Sequence, residues 1–547
     1  MTLARRRIVR WTSFAACVAG AMTIAAAQPA LTPCDDFLPA LRNVKGQKVG
    51  PRSCVMVERD ITVDGKAYKV VDMGIDGTVD GYLTKTGDYR GYFTNSPELV
   101  FPQTADPGPV FFGIASYGRD KGASMAVIYP ADRASWNGKV WVTVPGASAG
   151  PLRPWQPGAT ESGPRAISDY DREMLSRGYA IAKTRRATNA TALARNAHPD
   201  PTGITTVLED GTTVDYAAFN DTANYIRDFT FIAENVLQKR LGRAPARTYF
   251  YGHSAGARIG RGMNYTPGLN RRDDGRPVFD GFLVDDSGAG GWLPIVLQDG
   301  KDVLFTSDAD RARAVPQLEI AHQGYNNIWP PKKPDWVSSS YLENKRKNAK
   351  IMQDKGMTAK FRIYEVRGIS HAGSGPGFDI SPMWGQFFAM LDAWVDKGVA
   401  PPPSHSDWAD IGDRDHDGVV ESAALAFPQV ACPLGVYYTT TVTGTTIAFA
   451  PFTGQGIEPL NTEQVFVDMN RNGVWDFRET PQQAWVRLGL LKRGEPLTRE
   501  KYVACVQSAV EALRKDGFFS EKTAADYVDK ARTADLQPKE TSGSAQR

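Results

Sequence analysis

The five residues Gly252-His253-Ser254-Ala255-Gly256 constrain this chain more than any other stretch. They fit G-x-S-x-G, follow an apolar strand expected at 248–251, and open a helix-like run starting near Arg258. A serine at such a strand-to-helix turn needs strained backbone and small neighbours, so that its hydroxyl stands clear. The N–H of the next residue, Ala255, then faces the place where an oxyanion develops. The turn in turn demands a buried strand and a helix packed behind it. Further apolar strands are expected at 139–144, 179–182, 281–284, 317–321 and 361–366, with a helix over 219–241 between them. Buried strands alternating with helices predict a parallel sheet with crossovers, hence an α/β domain over residues 131–400. Residues 28–130 read as a β-rich region of strands and turns. Pro401-Pro402-Pro403 marks a linker, and residues 401–547 form an extension of different character.

A serine nucleophile needs a base later in the chain, in the order Ser, acid, His. Of the six histidines, His371 lies in Gly368-Ile369-Ser370-His371-Ala372-Gly373, a Gly-rich loop just beyond a late strand. An imidazole there can swing over the serine. His198, His405 and His416 sit in polar loops, His322 ends a strand in a core or hydrogen-bonding role, and His253 is too close to Ser254 to act as its base. The second oxyanion donor is expected from Val144-Pro145-Gly146-Ala147, with Gly146 or Ala147 presenting its N–H.

Trp136-Asn137-Gly138, Arg177-Gly178-Tyr179-Ala180, the Tyr-Phe-x-Gly-x-Ser elbow with Arg258, and Phe279-Asp280-Gly281 resemble the tannase and feruloyl esterase family. So do His322 to Pro331, Gly368 to Gly377 and Trp394-Val395-Asp396-Lys397-Gly398. The match runs in order over roughly residues 131–400. It implies an α/β-hydrolase with a mostly parallel central sheet, cleaving carboxylic esters, often of aromatic acids, through a Ser-His-Asp triad. Ser254 and His371 fall on the family's nucleophile and base. Three departures stand out. His253 and Ala372 replace the two cysteines that the family joins in a disulfide. Only 117 residues separate Ser254 from His371, too few for the family's large lid. Asn326 occupies the usual place of the acid, and an Asn cannot stabilise imidazolium by charge. Asp285 and Asp286 end the preceding strand. Pancreatic-type lipases keep their acid at that strand's end, in a Leu-Asp-Pro-Ala context that aligns with Asp286. Asp286 is therefore the expected acid, ahead of Asp285, with Glu319 and Asp308 next.

The first 27 residues read as a signal peptide: arginines up to Arg10, an apolar run over 14–27, and Ala25-Ala26-Ala27 before cleavage at Gln28. Plain export is expected over a twin-arginine route or a lipoprotein anchor at Cys17. The protein is therefore expected to be secreted or periplasmic. Four of the 64 basic residues precede residue 28, leaving 60 against 61 acidic ones, so nucleic acid and anionic membrane are poor partners. No later segment reaches 18 apolar residues. Cys34, Cys54, Cys432 and Cys505 predict two disulfides, with Cys34–Cys54 and Cys432–Cys505 the local choice among three pairings.

In the extension, Asp468, Asn470, Asn472, Asp476 and Glu479 supply the side-chain oxygens of a 12-residue calcium loop. Gly473 makes its turn and Val474 lends a carbonyl. Asp413, Asp415 and Asp417, followed by Gly418, begin a second such loop. Structural Ca²⁺ is expected, and no organic cofactor. The partner is a small-molecule or polymer-linked ester. The competing readings are a catalytically silent, calcium-stabilised binding protein on the same scaffold, and an acyltransferase.

Overall fold

The computed structural model describes residues 31–42, 49–79, 122–144, 167–184, 203–208, 211, 213–215, 217–287, 292–322, 340–366, 380–404, 425–437, 457–459 and 481–536. Strands β1 (Thr32–Pro33), β2 (Val49–Val63), β3 (Lys66–Val79) and β4 (Gly122–Pro130) come first, then β5 (Lys139–Val144), α1 (Asp169–Ser176) and β6 (Ala180–Thr184). β2 and β3 form a hairpin whose turn, Asp64-Gly65, has φ of 49° and 76°, the twist that lets a two-residue turn match its strands. Two short strands follow, β7 (Ile204–Leu208) and β8 (Thr213–Asp215), and then the long helix α2 (Ala217–Leu241). The central unit is β9 (Arg247–His253), α3 (Ala255–Tyr265) and β10 (Gly281–Asp285). After it come β11 (Trp292–Gln298), β12 (Lys301–Asp302), α4 (Asp308–Arg313), β13 (Gln317–His322), α5 (Ser340–Asp354), β14 (Phe361–Val366) and α6 (Ser381–Lys397). The extension adds α7 (Pro428–Ala431), β15 (Gly435–Tyr437), β16 (Ile457–Pro459), α8 (Pro481–Arg487), α9 (Arg499–Lys515) and α10 (Glu521–Thr533).

Ten strands make one sheet in the order β1-β2-β3-β4-β6-β5-β9-β10-β13-β14. From β6 to β14 every pairing is parallel; β1 to β4 join antiparallel. The β-rich N-terminal region thus continues the central sheet directly. Parallel strands are buried on both faces, which is why β10 reads Gly-Phe-Leu-Val without a polar break. Successive side chains alternate between two cores. Phe250, Phe282 and Val284 pack with α2 and α3 on one face. Tyr249, Tyr251 and Leu283 pack with α1 and α6 on the other.

That second core also takes in Phe427, Trp485, Val506, Val510 and Phe518, so the extension is packed on the α/β layer. The Phe518 ring lies 4.8 Å from that of Tyr364 on β14. The linker expected at 401–403 runs along the edge strand instead. Tyr364 donates to the Pro402 carbonyl at 2.6 Å, and Ser404 Oγ accepts the Ile363 N–H at 3.0 Å. Cys34 and Cys432 are disulfide-bonded to Cys54 and Cys505, the two local pairs. No described helix is long and apolar enough to cross a membrane.

Candidate active site

β9 lies in the middle of the parallel strands and delivers Ser254 at its C-terminal end, where ligand sites of parallel sheets form. Ser254 has φ 55° and ψ −114°, and it is the cap residue from which α3 starts at Ala255. A non-glycine residue there costs about 1–3 kcal/mol and persists only where its surroundings over-determine it. Those surroundings are tight. A Cβ on Gly252 would lie 2.5 Å from the Gly256 backbone, so strand and helix touch directly across the turn. The Ser254 N–H donates to the Asp285 carbonyl at 2.9 Å, and the Arg258 N–H closes the first helical turn on the Ser254 carbonyl at 3.1 Å. Arg258 Nε also donates to the Ser287 carbonyl at 2.8 Å, tying α3 to the chain beyond β10. Ala255 heads the helix, where amides have no intrahelical acceptor and the dipole favours negative charge.

The two aspartates at the end of β10 have different surroundings. Asp285 is 2% exposed. Its Oδ2 takes His253 Nδ1 at 2.6 Å and the Tyr251 hydroxyl at 3.2 Å, and its Oδ1 lies 2.9 Å from His322 Nε2. Burial alone would raise this carboxyl, but the His322 and His253 imidazoles outweigh it and hold it well below the usual carboxylate range. Burial, and next the Asp285 charge, push the Tyr251 hydroxyl well above its ordinary value, so it remains a donor. Asp286 is fully buried, with φ 45°. Its carboxylate forms an ion pair with the buried Lys345 of α5 and accepts the His322 N–H at 3.1 Å.

Of the expected site residues, the structure brings Ser254, Ala255, Asp285 and Asp286 to one end of the sheet. Gly146, His371 and Asn326 lie outside the described residues. So do Asp413, Asp415, Asp417, Asp468, Asn470, Asn472, Val474, Asp476 and Glu479. Two fallback acids are corrected. Glu319 is buried in an ion pair with Arg261 of α3 and accepts from Asn348 at 3.0 Å, so its carboxylate belongs to the core. Asp308 has a fully solvated side chain, 99% exposed, in the first turn of α4. Lys345 was missed. Nothing in the polar run of α5 separates it from the exposed Lys347 and Lys350. His322 takes the hydrogen-bonding role that its place at a strand end suggested.

The family model described as "Alpha/beta hydrolase domain" matches residues 123–382, which hold the parallel strands and the elbow. This segment is an α/β-hydrolase domain. Solved structures similar to the chain include a tannin acyl hydrolase from Aspergillus niger, at 13% identity and TM-score 0.25 over 48% of this chain; the chain spans 38% of that protein's length. A feruloyl esterase B from Aspergillus oryzae matches at 10% identity and TM-score 0.36, over 67% of this chain and 90% of its own. A poly(3-hydroxybutyrate) depolymerase from Bordetella parapertussis matches at 15% identity and TM-score 0.27, over 54% of this chain and 90% of its own. No curated protein matches the chain. The resemblance to tannases is distant.

Proposed function

We propose that this hydrolase domain is an exported serine carboxylic ester hydrolase working through an acyl-enzyme. The observation that carries the reading is the left-handed backbone of Ser254, held between a central parallel strand and a helix N-terminus. In the proposed reaction Ser254 Oγ attacks the ester carbonyl and its proton passes to His371. The oxyanion is received by the N–H of Ala255 and that of Gly146. His371 then protonates the departing alcohol, and water, deprotonated by the same imidazole, releases the acid and restores Ser254. Asp286 is the acid that orients His371, because both oxygens of Asp285 already serve Tyr251, His253 and His322. The two disulfides fit an oxidising compartment, in line with export. The loops beginning at Asp413 and Asp468 carry structural Ca²⁺ in this proposal, their oxygen-only donor sets suiting a hard cation.

A fluorophosphonate probe and a panel of p-nitrophenyl, feruloyl and gallate esters test the reading. The wild type should take one label and hydrolyse at least one ester class, while Ser254→Ala, still folded, does neither. An alanine variant that keeps most of the wild-type kcat would refute the serine mechanism. A wild type that takes no label and cleaves no ester would leave a silent binding scaffold.

A further inference from the structure

Behind the nucleophile, three neighbouring strands end in a polar knot that no step of the proposed chemistry uses. Asp285 is the last residue of β10, the middle strand, and in register it faces His253 on β9 and Ile320 on β13. Residues two apart on a strand share a face, so Tyr251 and His253 both turn toward Asp285. Its carboxylate reaches the flanking strands on both sides, holding His253 Nδ1 at 2.6 Å and His322 Nε2 at 2.9 Å. Its own carbonyl accepts the Ser254 N–H at 2.9 Å. One residue thus grips position 253 through its side chain and position 254 through its main chain.

We propose that Asp285 is a positioning residue for the nucleophile: its bridge between His253 and His322 fixes the ends of β9 and β13 and so keeps Ser254 in its left-handed conformation. The inference rests on the serine-hydrolase reading above. Rotation of Ser254 back toward relaxed dihedrals would swing its Cα–Cβ bond and carry the hydroxyl away from any base. The backbone bonds of Ser254 and the close Gly252–Gly256 approach set one limit on that rotation. A side chain adds a second, since His253, directly before the serine, is fastened to the next strand. Its bond is charge-assisted on the carboxylate side, which makes it stronger and more directional than a neutral contact. Among the described residues no group of three or more His, Cys, Asp or Glu side chains is placed to hold a metal ion. The knot is closed on the inside, where the Asp285 and His322 side chains are 2% and 0% exposed, and more open at His253, 26% exposed. His253 is therefore the position to change with least harm to folding.

The test uses His253→Leu, which removes the ring donor, His253→Gln, which keeps a side-chain N–H, and Asp285→Asn. The rate of fluorophosphonate labelling at Ser254 is followed together with kcat, KM and melting temperature. His253→Leu and Asp285→Asn should lower kcat and the labelling rate in parallel, about tenfold to a hundredfold, with KM within about twofold. His253→Gln should recover at least about a third of the wild-type values. Wild-type labelling rates in folded His253→Leu overturn the proposal. So does a loss confined to melting temperature or KM, or a glutamine variant no better than leucine. Failure of the wild type to take label would instead overturn the hydrolase reading, and this inference with it.

Discussion

Asp286 sits where two requirements meet, and Lys345 explains how it can satisfy both. A buried carboxylate needs a counter-charge to stay ionised, and the ammonium of Lys345 supplies one. Asp286→Asn should lower kcat by roughly 10⁴-fold, the cost of losing a triad acid in a serine protease, measured per folded molecule. Lys345→Met should instead act on stability, costing about 3–5 kcal/mol in urea unfolding because it strands the carboxylate. Near-wild-type stability for the methionine variant would mean that the pair is not closed in solution. Asp285 adds a pH dependence. Its folded pKa lies below the unfolded value of about 3.9, so its stabilisation is complete above that value and is lost as pH falls toward the folded one. Between about pH 5 and about pH 2.5 the wild type should therefore lose more unfolding free energy than Asp285→Asn. Equal losses would show that another group governs acid unfolding. The sequence made Ser254 and the aspartate pair legible because they interrupt apolar strands. It hid Lys345, since a buried lysine differs from a surface one only in what the fold places beside it.

Among elements, the junction of β9 and α3 tolerates least. Gly252→Ala would drive a methyl to within 2.5 Å of the Gly256 backbone, which cannot step aside as a flexible side chain would. The turn must open, so esterase activity should fall at least about a hundredfold. Gly300→Ala, at a turn glycine with open space around it and φ 74°, should pay only a local strain cost and leave kcat near wild type. Activity surviving in Gly252→Ala would show the elbow to be looser than its packing suggests. The strands expected at 281–284, 317–321 and 361–366 lie at Gly281–Asp285, Gln317–His322 and Phe361–Val366, and the helix expected over 219–241 spans Ala217–Leu241. Those strands are short runs rich in apolar residues, broken by Gln317, Glu319, Arg362 and Glu365, while the helix mixes apolar and polar residues over 25 positions, and this contrast made both readable. The small sheet of β12, β11, β7 and β8 escaped notice. Ile204-Thr205-Thr206-Val207-Leu208 is too short and too polar to stand out until Trp292–Gln298 pairs with it.

At the scale of the whole molecule, the extension shares a core with the hydrolase domain, joined to it through Phe518, Tyr364 and Phe387. Two bodies with one core should melt together. If the loop at Asp468 binds calcium, EGTA should lower the melting temperature of a single transition and leave kcat at low temperature nearly unchanged; Glu479→Gln should copy it. A ligand at 100 times its Kd adds about 2.7 kcal/mol to the folded state, enough to read in a melting curve. Loss of catalysis on chelation with no change in melting would place the ion in the active site instead. The proposed calcium loops are local in the chain, so their pattern can be read from sequence, whereas the docking of the extension depends on aromatic residues far apart in the chain. The strap at 401–404 also covers a sheet edge. β14 closes one border of the ten-stranded sheet, and an open border is a template on which another polypeptide can add a strand. Here Ser404 occupies the outward amide of Ile363, and three successive prolines, lacking N–H groups, offer an incoming strand no backbone donor. A fragment ended before Pro401 would keep the proposed triad of Ser254, Asp286 and His371 but lose this guard against self-association.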